Sequence, residues 1–319
     1  GRRRPGARSG AVTAAGTRAS APETLQEAVD RVLRVPDEHR TFTKDAAFAE
    51  ETWAIGPGLL EALLDHGLPH RGPAGRRRFE RTDLHNISTY LNLPSPYFRA
   101  LARKARAMDE AARSGEPHRH RLELTAQCAG PGHAAPCAFE PVPGLAAHSV
   151  PGSLRHTAPG TFTVEARLPS DTYVFDDDRS ELLSLVADWE LYVLPDGVIE
   201  DEDFSRRTRL ANCLIPTRLL LREAARRGIR ARHGAGLLVA PPFTTLHHWI
   251  EFELDGVWRA ADPVLLTAFA RWGMTDPAAW PYNRSVAGIV WHLLTWPPEV
   301  FFPVVRDHGR QAPLHITAR

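Results

Sequence analysis

At 319 residues and 43% hydrophobic, the chain can bury a sizeable core and has length for more than one domain. A formal net charge of +1 supplies no global field that would demand nucleic acid or an anionic membrane as partner. Three cysteines (Cys128, Cys137, Cys213) are too few for a disulfide-built scaffold, and no apolar run approaches the roughly 18 residues that span a bilayer, so a cytoplasmic protein without a membrane partner is expected.

Residues 1–20 are rich in Arg, Gly, Ala and Ser with almost no large apolar side chains, and are expected to form a disordered tail. From 21 to 115 apolar residues recur every three or four positions in PETLQEAVDRVLRV, GPGLLEALLDHG, DLHNISTYLNL and PYFRALARKARAMDEAAR, which predicts a helical N-terminal unit punctuated by Gly and Pro. The last two segments read as helix, turn, helix, with Arg99, Arg103, Lys104 and Arg106 on the second. Such a basic helix can read DNA, dock an acidic carrier protein, or simply face solvent, and the solvated face is the expectation.

Between 116 and 160 the period is lost and Pro, Gly and His accumulate, as in a long irregular connection. His118, His120, Cys128, His133 and Cys137 carry ligand chemistry suited to zinc, but the spacing of the two cysteines matches no compact zinc knuckle, and no metal is expected. TFTVEARL at 161–168 alternates as a strand, and DDDRSELLSLVADWELYVL returns to helical spacing behind an acidic start at Asp176 to Asp178.

RLANCLIPTRLLLREAARRGIRARHGAGLLV holds the next helix. Pro216 is tolerated only in a first turn, Asn212 suits an N-cap and Gly228 the left-handed residue after the end, so Cys213 falls at the helix N-terminus. A thiol there meets the positive end of the dipole and free backbone N–H groups.

In TTLHHWIEFELDGVWRAADP, Asp255-Gly256 predicts a two-residue type I′ hairpin. Closure at Leu254 and Val257 sets Asp262 opposite Trp249 and makes His247 its diagonal neighbour, within side-chain reach. His248 points to the other face, with Ile250 and Phe252, as a satisfied core histidine. The candidate triad is therefore Cys213, His247 and Asp262: thiol, base and orienting acid for attack on an acyl carbon. Trp249 and Trp258 are candidate walls of the substrate site.

These features resemble the transglutaminase-like superfamily, the papain-related Cys-His-Asp enzymes. The likeness spans about 180–267: the Cys helix, LLREAARRGIRAR leading into a strand, the His-x-Trp of His247 to Trp249, and the strand ending in Asp262-Pro263. It implies an α+β catalytic domain at 161–319, with the cysteine helix packed on an antiparallel sheet and the N-terminal unit as an extension. Ala211 and Asn212 stand where the family often has Gly or an aromatic, and only Trp189 and Gln127 are candidates for an oxyanion-hole side chain. The resemblance further implies an acyl-cysteine intermediate, no cofactor, an acyl donor and an amine acceptor. Members include crosslinking enzymes, peptidases, amidases and natural-product enzymes that take acyl groups from carrier-protein thioesters, as in antibiotic biosynthesis. Amide formation is the expectation and hydrolysis its rival; a regulatory, DNA-contacting protein with a vestigial site is the alternative of another class.

Overall fold

A computed structural model describes residues 24–128, 137–295, 303–306, 310–311 and 314–319. The tail expected at 1–20 lies outside the described residues, as does His133.

The chain opens with α1 (Leu25–Leu33), β1 (Phe42–Lys44), α2 (Ala46–Trp53), α3 (Pro57–Asp65), β2 (Phe79–Glu80), α4 (Arg81–Tyr90) and the long α5 (Pro96–Ser114). Their boundaries follow local chemistry. Thr24 and Glu27 form a reciprocal capping box at α1; Ser95 caps α5 ahead of Pro96, and Gly115 ends it at φ 67°. Val29, Leu63, Leu84 and Ile87 centre a core made by α1 to α4. Every residue of α4 from Thr82 to Tyr90 is buried, which its modest apolar content did not announce.

The stretch at 116–160 is not the aperiodic connection expected from sequence. It holds β3 (His118–Ala126), β4 (Phe139–Pro141), α6 (Pro143–Ala147) and β5 (Arg155–Ala158), followed by β6 (Thr161–Leu168). β3 pairs antiparallel with β6 along its whole length. Leu122, Leu124 and Ala126 alternate inward while His118, Arg119 and His120 sit toward the outer end, so the polar start of the strand masked its period.

Next come α7 (Asp177–Ser184), β7 (Glu190–Leu191), α8 (Glu202–Thr208), β8 (Leu210–Ala211) and α9 (Leu214–Arg226). The helix read through 176–194 stops at Ser184, because tertiary partners claim the backbone beyond it. The Tyr90 hydroxyl donates to the Leu191 carbonyl at 2.9 Å, and Asn86 brackets Val193, donating to its carbonyl at 2.9 Å and accepting from its N–H at 3.0 Å.

The remaining elements are β9 (Ala231–Ala240), β10 (Phe243–Leu254), β11 (Val257–Ala261), α10 (Pro263–Arg271), β12 (Val290–Thr295), β13 (Val304–Arg306), β14 (Arg310–Gln311) and β15 (Leu314–Ala318). They complete an α+β architecture with two four-stranded sheets ordered β11-β10-β9-β12 and β15-β3-β6-β5. Leu237, Val239, Trp291 and Leu293 of the first sheet pack on Leu122, Leu124, Phe162 and Val164 of the second. The largest core joins α9, α10 and the first sheet to Leu101, Ala105 and Met108 of α5.

A buried carboxylate fastens the opening helices to this core. Glu190 takes Arg31, Arg34 at 2.8 Å and Arg271 at 2.9 Å. Burial would raise its pKa, but Arg31 and its neighbours hold it below the usual carboxylate value. Among the described residues no helix is long and apolar enough to cross a membrane.

Trp249 shows how closely the sheet is fitted. It is fully buried, its indole covers Gly234 on the neighbouring strand, and its Nε1 donates to Glu251 Oε1 at 2.8 Å. A Cβ at Gly234 would overlap Nε1, Cε2 and Cδ1 of that ring. Gly234→Ala should therefore cost about 1–3 kcal/mol, read as a lower urea midpoint with an unchanged slope.

Candidate active site

Asn212 accepts from the N–H groups of Leu214 (2.9 Å) and Ile215 (3.2 Å), so its side chain caps α9 and leaves Cys213 in helical geometry at φ −69° and ψ −23°. Pro216 sits in the first turn and Gly228, at φ 67°, follows the end. Cys213 is thus held at the helix N-terminus and stays partly exposed.

β10 and β11 turn at Asp255 (φ 52°) and Gly256 (φ 77°) with Leu254 paired to Val257, and the ladder continues to Ile250 and Ala261. Both turn residues have positive φ, as a type I′ turn requires. The register sets Asp262 just beyond the strand, where His247 Nε2 meets Asp262 Oδ2 at 2.5 Å. The other oxygen of the same carboxylate accepts from the Leu265 N–H at 2.9 Å and caps α10. His247 and Cys213 line one cavity, close enough for the ring and the sulfur to interact electrostatically.

Both His247 and Asp262 are buried. Burial alone would strip the proton from the imidazole, but the negative charge of Cys213 and the hydrogen bond to Asp262 outweigh it and raise the His247 pKa to about 10. His247 therefore keeps its own proton at neutral pH. His248 behaves otherwise. Its Nδ1 lies 2.8 Å from His233 Nε2, and burial depresses the two pKa values to about 3 and about 4, so this pair stays neutral inside the protein.

A cavity of about 180 Å³ opens beside Cys213 and His247. Its other walls come from α5 (Tyr97, Leu101 and Lys104), from Leu191 of β7 and Leu194 after it, and from Trp272 at the end of α10. The sequence reading did not include these residues in the site. Lys104 was grouped with Arg99, Arg103 and Arg106 on a basic face, yet it is only 1% exposed and its Nζ donates to Thr245 Oγ1 at 2.9 Å. The signal was present: Lys104 occupies the stripe of Leu101, Ala105 and Met108, three and four residues apart.

The expected tryptophan walls are not at this cavity. Trp249 is core, with its ring stacked 6.4 Å from that of His247. Trp258 lies under the guanidinium of Arg232 at 4.3 Å and lines a separate cleft with Glu251 and His292. Strand alternation sets both on one face with Asp262 but does not specify what each meets. The two oxyanion candidates also stand away from the cavity: Trp189 is buried in the main core and Gln127 is exposed beyond β3. Tyr97 lines the cavity instead, and burial followed by the charge of Cys213 pushes its hydroxyl up to about 12.

His118 and His120 stack at 6.4 Å on β3, and Cys128 is exposed. Among the described residues no group of three or more His, Cys, Asp or Glu side chains is disposed to hold a metal ion.

No protein-family model matches the chain, and no curated protein matches it significantly. Among solved structures the chain is similar to one from Cytophaga hutchinsonii described as a candidate cysteine protease, at 10% identity over 64% of this chain and 91% of that one, with a TM-score of 0.30. A likeness at this level carries no weight for fold or activity, which rest on the geometry above.

Asp262 serves two purposes that substitution separates. Asn caps helices nearly as well as Asp and Ala does not, so Asp262→Asn should be the more stable of the two variants by about 1 kcal/mol. Both remove the charge beside His247, and both should slow alkylation of Cys213 by iodoacetamide at neutral pH. Thermal melts and intact-mass kinetics on the two variants read the two effects independently.

Proposed function

We propose that the protein is a transglutaminase-like, papain-related acyltransferase that makes an amide through an acyl-cysteine. Cys213 is the nucleophile, His247 carries the proton and Asp262 orients the imidazole. The observation that carries this reading is the His247 imidazole, held by Asp262 Oδ2 at 2.5 Å, at the cavity it shares with the thiol at the start of α9.

The thiolate attacks the acyl carbon of a thioester donor; the new S–C bond forms as the old one breaks, and the leaving thiolate takes the imidazolium proton. An amine then attacks the acyl-cysteine and gives its proton to His247 as the S–C bond to Cys213 breaks, which restores the starting pair. The N–H of Cys213 at the helix N-terminus and the Tyr97 hydroxyl are suited to the developing oxyanion. Asp262 also fixes the ring tautomer, the role its position in the triad gives it.

Transfer is favoured over hydrolysis by the apolar cavity roofed by α4 and α5, since an acyl-cysteine must outlast its encounter with water until an amine arrives. The shielding ascribed from sequence to Trp249 and Trp258 falls instead to Leu191, Leu194 and Trp272. In this reading residues 161–319 carry the triad, the unit at 21–115 completes the pocket, an acyl carrier protein is the donor, and a reducing cytoplasm keeps the thiol free.

With an N-acetylcysteamine thioester, intact-mass analysis should find one acyl adduct, on Cys213, absent from Cys213→Ala and slower by orders of magnitude in His247→Ala; His248→Ala should mainly lower stability. Raising the amine concentration should shift product from free acid to amide. If amine never competes with water for any donor that acylates Cys213, a peptidase or amidase replaces the transferase.

A further inference from the structure

The cavity beside Cys213 presents mostly apolar surface, and two buried cationic side chains line it: His247, which Asp262 holds, and Lys104. Lys104 is 1% exposed, lines the cavity with Thr245, and has the Thr245 hydroxyl as its only hydrogen-bond partner among the described residues. An ammonium has three donors, so two are left over, and among the described residues no carboxylate pairs with it. A cation in this position costs free energy unless something anionic joins it. His85 also lines the cavity, is 7% exposed, and leaves Nε2 without a partner among the described residues, held between Trp53 at 4.3 Å and Tyr97 at 4.1 Å.

Thr245 precedes His247 by two residues on β10, so the two side chains lie on one face about 7 Å apart. Lys104, which contacts Thr245, and Cys213 thus line the same cavity as His247. The volume of about 180 Å³ is close to the roughly 150 Å³ that encloses benzene, room for about six to nine heavy atoms.

We propose that this cavity is the acyl-binding pocket and that it selects an ω-carboxyacyl donor, about four to six carbons long, whose distal carboxylate pairs with Lys104 while its acyl carbon meets Cys213. The inference rests on the acyl-cysteine reading above and names its substrate class. Burial draws the Lys104 pKa down to about 8, so the ammonium is charged at neutral pH and recognition weakens as pH rises through that value.

The test compares glutaryl and pentanoyl thioesters of N-acetylcysteamine, which differ only in carboxylate against methyl at the far end. Cys213 should be acylated by the glutaryl donor on the order of ten- to hundredfold faster, the usual worth of a hydrogen bond to a charged group, and Lys104→Met should abolish or invert the ratio of glutaryl to pentanoyl rates. Free glutarate should raise the melting temperature of Cys213→Ala more than pentanoate does, and should lose that advantage when Lys104→Met is added. Equal rates, or a preference for pentanoyl in the wild type, overturn the carboxylate pocket and leave the acyl-cysteine reading standing. If neither thioester acylates a Cys213 that iodoacetamide still alkylates, the thioester reading fails and the donor class falls with it. Glutarate stabilisation that persists with Lys104→Met, or with a Lys104→Gln control, overturns the assignment to Lys104.

Discussion

The site depends on the register of one hairpin. Asp255 and Gly256, both at positive φ, close β10 on β11 so that Leu254 faces Val257, and every later pairing follows from that closure. A slip of one residue would exchange the faces of β10 and present His248 in place of His247. The turn thus decides which imidazole reaches Asp262 and which is sealed beside His233. Since Asp262 also caps α10, the same carboxylate fixes the direction in which the chain leaves the sheet.

A second constraint acts from the opposite side. Glu190 gathers arginines from the end of α1, from the residues that follow it and from α10, and Asn86 and Tyr90 fasten the backbone at 191–193. The helices at the start of the chain are thereby pressed onto the segment that walls the cavity. Lys104 and Tyr97 come to the triad through this docking, from positions more than 100 residues before Cys213.

The placement of Cys213, His247 and Asp262 could be read from sequence because it rests on local rules. Proline and Asn212 located the helix start, the Asp-Gly pair located the hairpin, and alternation separated His247 from His248. The chain order did not reveal what walls the cavity. Trp249 has the alternation of a site residue, but Gly234 opposite it leaves a slot that the indole fills. β3 escaped notice because its outer half is His and Arg. α7 was read too long because the backbone after it is bound by α4, a partner that no local pattern specifies. Lys104 was taken for one of a basic group, whereas its place on the apolar stripe was the informative fact.

The shared wall between α5 and the sheet bears on how such a protein can be rearranged in evolution. Leu101, Ala105 and Met108 belong to the same core as Leu219, Leu265 and Trp249. The opening helices are therefore not a detachable module that recombination could trade among relatives. A fragment carrying the thiol, imidazole and carboxylate alone would inherit a reactive centre with one side of its pocket missing. Any exchange that reshaped the cavity would have to carry α4, α5 and the 191–194 segment together, so the pocket's shape and the folding of the chain are inherited as a single block.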